Sequence, residues 1–230
     1  YSRERGEFRM IESIRFNLLL LCSLLTVTSC IVPESTHVKP TFHLLTKNIF
    51  DKNQSIAQAT ELVESNKTVS GHPFYLRQIE LPYYLQENRI VSRPDESKIE
   101  FRENDRWGEP LLEGVGRVVG LNLSQLLNSS FYSVYPHRKK IGTPWEVSIT
   151  ILRFEKVSGS EVKIEASWEI FNIDFKNGAY PLRNGKVNTL VSMKPSAQKA
   201  QSIKDEINSL SKSLTILSEL ISASIISSSR

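Results

Sequence analysis

The chain has 230 residues, of which 40% are hydrophobic and 23% are charged, and its formal net charge at pH 7 is +4. This composition is ordinary for a globular protein, and the length allows one domain or two small ones. The charge is well short of that of a strongly cationic nucleic-acid-binding protein, so no nucleic-acid partner is expected. The dense basic cluster at residues 137–140 is interpreted as a solvated loop.

Near the N-terminus, residues 18–25 form a short apolar run that is interrupted only by Cys22 and Ser23. A membrane-spanning helix needs about 20 mostly apolar residues, whereas the apolar core of a secretory signal peptide needs about 7–15. The length therefore favours a signal peptide over a membrane span or a buried helix. Met10 fits the start of that peptide, and residues 1–9 are interpreted as an upstream extension.

The residues after this run, Val-Thr-Ser-Cys at 27–30, resemble a bacterial lipobox. The thiol of Cys30 would accept diacylglycerol, and the small residues before it would let the peptide bond enter a signal peptidase. The following polar segment contains Pro33 and Pro40, which oppose helix formation and suit a linker. The alternative is a cysteine that falls by chance at the end of an ordinary signal peptide.

These features predict a signal peptide with its extension at residues 1–29, a lipidated cysteine and linker at residues 30–41, and a single domain at residues 42–230. Acyl chains on Cys30 would anchor the protein by about 0.8 kcal/mol per buried CH₂ group. Residue 31 is isoleucine, not the aspartate that favours inner-membrane retention, so the resemblance implies the periplasmic face of the outer membrane. With Cys22 removed, the mature chain would have neither an intramolecular disulfide nor a cysteine metal site.

Short strands are predicted in the first part of the mature domain, at residues 42–46, 74–81, 89–93 and 98–103. The last two are expected to pair through the turn between them. The polar stretch 51–71 is interpreted as a connecting excursion with one helix-compatible part, residues 55–64.

A helix is predicted from Pro110 to about residue 127, because apolar residues recur there at three- and four-residue steps. Proline is tolerated at the start of a helix, where the first N–H groups lack intrahelical partners. The three glycines inside this helix each cost about 1 kcal/mol relative to alanine. A close approach to a neighbouring sheet would explain them.

The second half is predicted to contain a strand at residues 129–136 and a hairpin of two strictly alternating strands, 145–154 and 161–171, around Gly159. A further strand region, 179–193, contains an Asn184-Gly185 turn signal. The last segment, residues 196–227, has a heptad seam and is expected to pack on the domain's own sheet rather than form an intermolecular coiled coil. Its serine-rich opposite face is expected to face solvent.

The fold class is therefore predicted as α/β, in the form of an α+β sandwich in which a mixed or antiparallel sheet has two long helices packed on one face. About 190 residues are enough to build one such core.

Three short motifs carry a family resemblance: Leu-Pro-x-Tyr-Leu at residues 81–85, Ile-Val-x-Arg at 90–93 and Trp-x-Glu-Pro-Leu at 107–111. In order and spacing they resemble the PqiC-type (YmbA-like) auxiliary lipoproteins of MCE-linked transport systems. The match extends with less specificity from about His43 to Ile225. The polar excursion is longer than expected for that family, and Gly108 replaces the usual alanine.

The resemblance implies a non-enzymatic subunit that docks a periplasm-spanning MCE-domain protein at the outer membrane, in a lipid transport system, with a homo-oligomer as a further expectation. One alternative is an envelope assembly or structural lipoprotein without a transporter partner. A membrane-anchored periplasmic hydrolase is a third interpretation. The candidate structural residues are Pro82, Leu85, Trp107, Glu109 and Pro110, and the candidate partner-binding residues are Tyr83, Tyr84 and Arg93.

No sequence motif indicates catalysis. The histidines at positions 37, 43, 72 and 137 do not fall at metal-ligand spacing. The chain contains no G-x-S-x-G motif, no P-loop and no dinucleotide-binding fingerprint after a strand. We therefore expect no catalytic residues, no metal and no cofactor.

Overall fold

The structure is a computed structural model that describes residues 38–47, 71–157, 159–174, 178–193 and 199–229. All of these except Val38 belong to one compact unit, Lys39–Arg230. The signal peptide, the lipidation of Cys30 and the helix-compatible stretch 55–64 lie outside the described residues and stay predictions.

Eight strands form one mixed sheet, and two helices pack against it and against each other. In chain order the elements are β1 (Thr41–His43), β2 (Phe74–Leu76), a 3₁₀ turn (Tyr83–Leu85), β3 (Arg89–Asp95), β4 (Lys98–Trp107), α1 (Leu111–Leu126), β5 (Tyr132–Val134), β6 (Trp145–Lys156), β7 (Glu161–Asp174), β8 (Gly178–Ser192) and α2 (Lys199–Ser228). The predicted mixed sheet with two helices is confirmed.

Strand β6 organises the sheet because three other strands pair with it. It is antiparallel to β7 along its whole length, and it is parallel to β2 at its start and to β3 at its end. From these neighbours the sheet continues through β2 to β5, through β3 to β4 and β1, and through β7 to β8. The expected antiparallel pairs β3–β4 and β6–β7 are both present.

The alternation of β6 and β7 predicts their buried side correctly. On one face lie apolar side chains of which at most 6% is exposed: Trp145, Val147, Ile149, Ile151, Val162, Ile164, Ala166, Trp168 and Ile170. The register of β6 on β7 shifts between Ile151 and Arg153, where Leu152 is the extra residue. This bulge resets the phase, so Phe154 is buried opposite Ile164.

The strand predicted at residues 74–81 is shorter than expected. Regular pairing with β6 ends after Leu76. Beyond it, the three-residue step from Arg77 to Glu80 lies beside a two-residue step on β6. The backbone N–H of Arg77 bonds to Val147 O at 2.9 Å, and that of Glu80 bonds to Ile149 O at 3.0 Å. One extra residue per step breaks the period-two pattern that defines a strand.

The turn predicted at Asn184-Gly185 is wrong, because β8 runs through these residues without interruption. Gly185 lies opposite Trp168 on β7, and a Cβ atom at Gly185 would come within 2.2 Å of Trp168 Cζ2. The glycine therefore makes room for an indole ring rather than for a turn.

Helix α1 buries the apolar stripe that its spacing predicts, and its glycines lie where close packing needs them. A Cβ atom at Gly116 would lie 3.5 Å from Val134 of β5, and one at Gly120 would lie only 2.7 Å from the same side chain. The predicted close approach of this helix to the sheet is confirmed, and it offsets the low helix propensity of glycine.

Helix α2 packs on β6, β7, β8 and α1, so the heptad seam serves the domain's own core as expected. From residue 203 onward the predicted seam residues are at most 6% exposed: Ile203, Ile207, Leu210, Leu214, Leu217 and Ile221. Ile225 beyond them is buried as well. By length and composition the stretch Ser202–Ser228 could also cross a membrane, but 61% of its most apolar part is buried inside the fold. The burial fits a core helix.

The expectation that the serine-rich face of α2 meets solvent is wrong. Ser211, Ser213 and Ser218 are each at most 1% exposed. Their hydroxyls have partners: Ser213 Oγ donates to Leu210 O at 2.8 Å, Ser218 Oγ donates to Leu214 O at 2.7 Å, and Ser211 Oγ accepts from the N–H of Thr46 at 3.1 Å. Small hydroxyls that bond to a helix carbonyl one turn back can be buried at little cost.

Candidate partner-binding surface

The first two sequence motifs meet at a buried carboxylate. Glu155, near the end of β6, is 0% exposed and accepts four hydrogen bonds. Arg93 Nε and Arg153 Nε each donate to Oε1 at 2.9 Å. The Tyr84 hydroxyl and the backbone N–H of Phe154 each donate to Oε2 at 2.9 Å. With two donors on each oxygen, the cost of burying this charge is offset locally.

Tyr84 and Arg93 also contact each other directly. The guanidinium carbon of Arg93 lies 5.2 Å from the centroid of the Tyr84 ring, a cation–π distance. Burial, followed by the negative charge of Glu155, raises the pKa of the Tyr84 hydroxyl to about 12. The phenol therefore stays protonated at physiological pH and acts as a donor to the carboxylate. Tyr84 and Arg93, two of the three candidate partner-binding residues, thus have partners inside the domain.

Tyr83 lies on the same 3₁₀ turn but points away from the core. Pro82 enters the turn in an extended conformation, with φ −63° and ψ 151°. The N–H of Leu85 bonds to Pro82 O at 3.0 Å, and the N–H of Gln86 bonds to Tyr83 O at 3.0 Å. Leu85 is 2% exposed whereas Tyr83 is 89% exposed. The buried neighbours hold the turn and leave the Tyr83 ring in solvent.

A second exposed apolar residue lies at the hydroxyl end of the Tyr84 side chain. Leu152, the bulged residue of β6, is 51% exposed, and its carbonyl accepts a hydrogen bond of 3.3 Å from the Tyr84 hydroxyl. A groove of about 550 Å³ adjoins the turn and is lined by Gln78, Ile79, Glu80, Leu81, Gln86, Pro110, Leu111 and Leu112. We call Tyr83, Leu152 and this groove the motif surface, since residues of the first and third motifs line the groove.

The third motif builds the start of α1. Trp107 is 6% exposed, and its N–H bonds to Asn88 O at 2.6 Å, which ties the end of β4 to the loop before β3. Pro110 is the residue at which the helix begins, and its carbonyl accepts the N–H of Glu113 at 2.9 Å. The Glu109 carboxylate is ion-paired with Arg117 in the second turn of the helix.

A second buried charge cluster joins α2 to β4. Glu206 is 0% exposed and is ion-paired with Arg102. Burial raises its pKa, although the nearby charges of Arg102 and Lys156 oppose that shift. Beside the pair, His43 Nε2 lies 3.0 Å from Asp105 Oδ1, which connects β1 to β4. His43 therefore contributes to the attachment of the first strand.

The buried charges of this part of the domain are engaged with one another. The buried carboxylates face arginines, and within the ranges that the structure describes no group of three His, Cys, Asp or Glu side chains could hold a metal ion. His137 is exposed on the loop after β5. What the motif surface offers is an aromatic ring, an aliphatic side chain and a groove on a rigid base.

Sequence reasoning missed Glu155 and Leu152. Strict alternation continued from Trp145 would place residue 155 on the buried apolar face, where a glutamate would be out of place. The consecutive apolar pair Ile151-Leu152 is the signal of a bulge, and after it Glu155 lies on the face that Tyr84 and Arg93 cover.

We predict that Tyr84→Phe loses stability relative to the wild type at neutral pH, by about 1.5 kcal/mol for a hydrogen bond to a charged group. Because the folded-state pKa of about 12 exceeds the ordinary value of 10.0, the hydroxyl's contribution is fully present below pH 10. It is lost as the pH rises toward 12. Urea unfolding from pH 8 upward, followed by tryptophan fluorescence, measures the difference between the two proteins.

Tyr83→Phe is the matched control, since it removes a hydroxyl from a ring that is 89% exposed. Its stability should follow that of the wild type at every pH. A Tyr84→Phe difference that stays constant with pH would contradict the assignment of the buried hydrogen bond.

Comparisons with known proteins agree with this architecture. Residues 55–222 match the family model described as the ABC-type transport auxiliary lipoprotein component. Similar solved structures include an uncharacterized protein at 13% identity and a TM-score of 0.60, covering 82% of this chain and 99% of the other. A DUF330-family protein from Xanthomonas campestris is 15% identical with a TM-score of 0.52, over 83% of this chain and 98% of the other.

At these identities the two structures support the fold alone. No curated protein sequence is significantly similar to the chain. The family match covers most of the residues from the polar excursion to the end of α2, including all three motifs. The chain belongs to the family of ABC-type transport auxiliary lipoprotein components.

Proposed function

We propose that this chain is a non-catalytic outer-membrane lipoprotein, anchored through Cys30, that docks a periplasm-spanning MCE-domain protein of a lipid transport system. Membership of a transport auxiliary family supports the role of a subunit with partners. The lipobox at residues 27–30 supports the anchor, and the isoleucine after the cysteine supports the outer membrane. The chain has no P-loop motif, so the ATPase of the system would supply the energy.

The observation that carries the docking role is the exposure of Tyr83. Of the three candidate partner-binding residues it is the most exposed, at 89%, whereas Tyr84 and Arg93 are engaged with Glu155. A tyrosine has few rotatable bonds, so it gives a large contact area at low entropic cost. The hydrogen-bonded turn that carries it is anchored by the buried Leu85 and fixes the backbone before binding, which lowers the cost of association further.

The partner would cover Tyr83 and Leu152 and insert a side chain into the adjoining groove. Exposed aromatic anchors of this kind are common interface hot spots. Tyr84 and Arg93 would support the surface from beneath rather than contact the partner. Formation of a homo-oligomer around the partner stays a prediction.

We expect Tyr83→Ala to reduce recovery of the MCE-domain protein about tenfold or more when the full-length lipoprotein is used as bait in solubilised envelopes, as for a hot-spot residue. The variant should fold normally, because the lost ring makes few internal contacts. Phe42→Ala is the matched control, since it also removes an exposed aromatic ring, 62% exposed, from another part of the domain. It should leave recovery unchanged.

Recovery of the wild-type lipoprotein alone would contradict the docking role and favour an envelope assembly or structural lipoprotein. Equal loss of the partner with both variants would contradict the assignment of the surface to Tyr83. Mass spectrometry tests the anchor separately: the mature chain should begin at an acylated Cys30, and an unmodified product that retains the preceding residues would contradict the anchoring.

A further inference from the structure

The loop between β5 and β6, residues 135–142, combines positive charge with exposed apolar side chains, and we call it the basic loop. Ile141 is 94% exposed and Tyr135 is 46% exposed. Arg138 and Lys140 lie between them and are exposed as well. Exposed apolar side chains and exposed cations are thus combined on one short loop.

The backbone holds Ile141 in this position. Lys140 O accepts two hydrogen bonds from Thr143, one from its N–H at 3.3 Å and one from its hydroxyl at 2.6 Å. Thr143 is 3% exposed, so the turn is anchored in the fold. Gly142 has a φ of +88°, a conformation that suits glycine at the third position of a tight turn. Ile141 therefore projects from a fixed turn and cannot fold back onto the core.

The cations of the loop differ in their partners. Lys139 is ion-paired with the buried Glu146, with Nζ 2.8 Å from Oε1. The ammonium of Lys140 lies 5.1 Å from the ring centroid of Phe131 and has no carboxylate partner among the described residues. Arg138 makes neither an ion pair nor a side-chain hydrogen bond with the part of the chain that the structure describes. Two positive charges beside Ile141 are thus available to an external ligand.

The groove beneath the loop suits an anion less well than the outer surface does. It has a volume of about 1000 Å³; Arg138 and Lys140 line it from the loop, and Glu109, Glu113 and Arg117 form its opposite wall at the start of α1. Acidic groups on that wall would oppose a phosphate inside the groove. Ile141 is not part of that lining, so a ligand that meets Ile141 together with the cations of Arg138 and Lys140 is one that lies across the outer surface of the loop.

The start of the folded domain is close to the same helix wall. Arg117, which lines the groove, donates a hydrogen bond from Nη2 to Leu45 O at 3.0 Å. The linker from residue 31 to residue 40 spans at most about 35 Å when fully extended. A domain tethered at Cys30 therefore stays within reach of the bilayer, and this helix wall is joined to the tethered end.

We propose that the basic loop is a second membrane contact, in which Arg138 and Lys140 bind anionic phospholipid headgroups while Ile141 and Tyr135 insert at the interface. Basic side chains gain energy near an anionic surface, and aliphatic and tyrosine side chains partition at headgroup depth. The inference rests on the proposed anchoring at Cys30. It adds an orientation: the loop end of the sheet faces the membrane.

The test uses the full-length lipoprotein with Ile141→Cys. Once Cys30 is acylated and Cys22 is removed with the signal peptide, this thiol is the single one available to an environment-sensitive fluorophore. The labelled protein is reconstituted into vesicles of phosphatidylcholine, with or without phosphatidylglycerol. With phosphatidylglycerol we expect a blue-shifted emission that brominated acyl chains quench. Salt at 1 M should abolish both effects, because it shortens the Debye length to about 3 Å.

Adding Arg138→Gln and Lys140→Gln to the labelled protein should lower the ratio of inserted to free loop about 25-fold, since each cation contributes about fivefold. A label at Leu190→Cys on β8, where leucine is 50% exposed, is the matched control and should stay in water. Mass spectrometry of the same sample reports whether Cys30 is acylated, so a failure of the anchor is seen separately.

An acylated protein whose label at residue 141 stays in water with phosphatidylglycerol would overturn the inference and leave the proposed anchor intact. An equal blue shift and equal quenching with phosphatidylcholine alone would also overturn it, because the cations would then play no part. A blue shift that appears only when the MCE-domain protein is added would assign the loop to a protein interface instead.

Discussion

Replacing Glu155 with glutamine is expected to lower the free energy of unfolding by about 3–5 kcal/mol, as for removal of one partner from a buried ion pair. The carboxylate is 0% exposed and is the common acceptor for Arg93, Arg153 and Tyr84. Glutamine keeps the volume but presents an amide N–H₂ to donors. It removes the counter-charge of Arg93 and leaves Arg153 with the exposed Glu96 alone, 2.9 Å from its Nη1. Urea unfolding followed by the fluorescence of the three tryptophans measures the loss.

Glu103→Gln provides the comparison, because its side chain is 82% exposed and its nearest cation, Arg89, lies 4.0 Å away. Exposed pairs of this kind contribute about 0–1 kcal/mol. If Glu155→Gln lowered the free energy of unfolding no more than Glu103→Gln does, solvent would screen the charges of the Glu155 network. That result would contradict the role of this network in holding the motif surface.

The same substitution should weaken partner binding, although Glu155 does not reach the surface. Tyr84 and Leu85 hold the turn that presents Tyr83, and Glu155 holds Tyr84. Releasing the turn would make the partner bear the entropic cost of ordering it. Under the proposed docking role, recovery of the MCE-domain protein should therefore fall with Glu155→Gln even at a temperature where the domain remains folded.

Truncation of Leu214 to alanine is the second large effect that we expect, a loss of about 2–5 kcal/mol in the free energy of unfolding. Leu214 is 0% exposed in the middle of the heptad seam of α2, where the helix packs on the sheet. Removing the side chain deletes buried apolar area and leaves a cavity that the rigid sheet cannot fill. Thermal or urea unfolding of the purified protein measures the effect.

Leu220→Ala on the same helix is the matched control, because Leu220 is 41% exposed. It should cost less, since part of its side chain already contacts water in the folded state and truncation removes less buried apolar area. A similar loss for the two variants would indicate that the face of α2 around Leu220 is also covered, for example by a second copy of the chain.

The sequence predicted those features that depend on local periodicity. Alternation identified β6 and β7 and their buried side, and the heptad seam identified α2 as a core helix. The glycines of α1 correctly indicated a close approach to the sheet, which Val134 of β5 makes. These signals succeed because one buried face imposes a fixed period on the side chains that cover it.

Other features were mispredicted because their cause lies on another element. Asn184-Gly185 has the composition of a turn, but the ring of Trp168 requires a glycine there within a continuous strand. The serines of α2 look like a solvent face, but the sheet and α1 cover the helix from two sides and the hydroxyls bond to its own carbonyls.

The sequence by itself determined the two-layer fold class and the family, because hydrophobic period and motif order are local properties of the chain. Only the tertiary structure decided the roles within the motifs. Tyr83 and Tyr84 are adjacent and chemically alike, yet the first is 89% exposed and the second bonds to Glu155, which lies 71 residues away. The physical reason is that a hydrogen bond to a buried charge depends on which distant strand passes beneath the turn, and no local pattern encodes that neighbour.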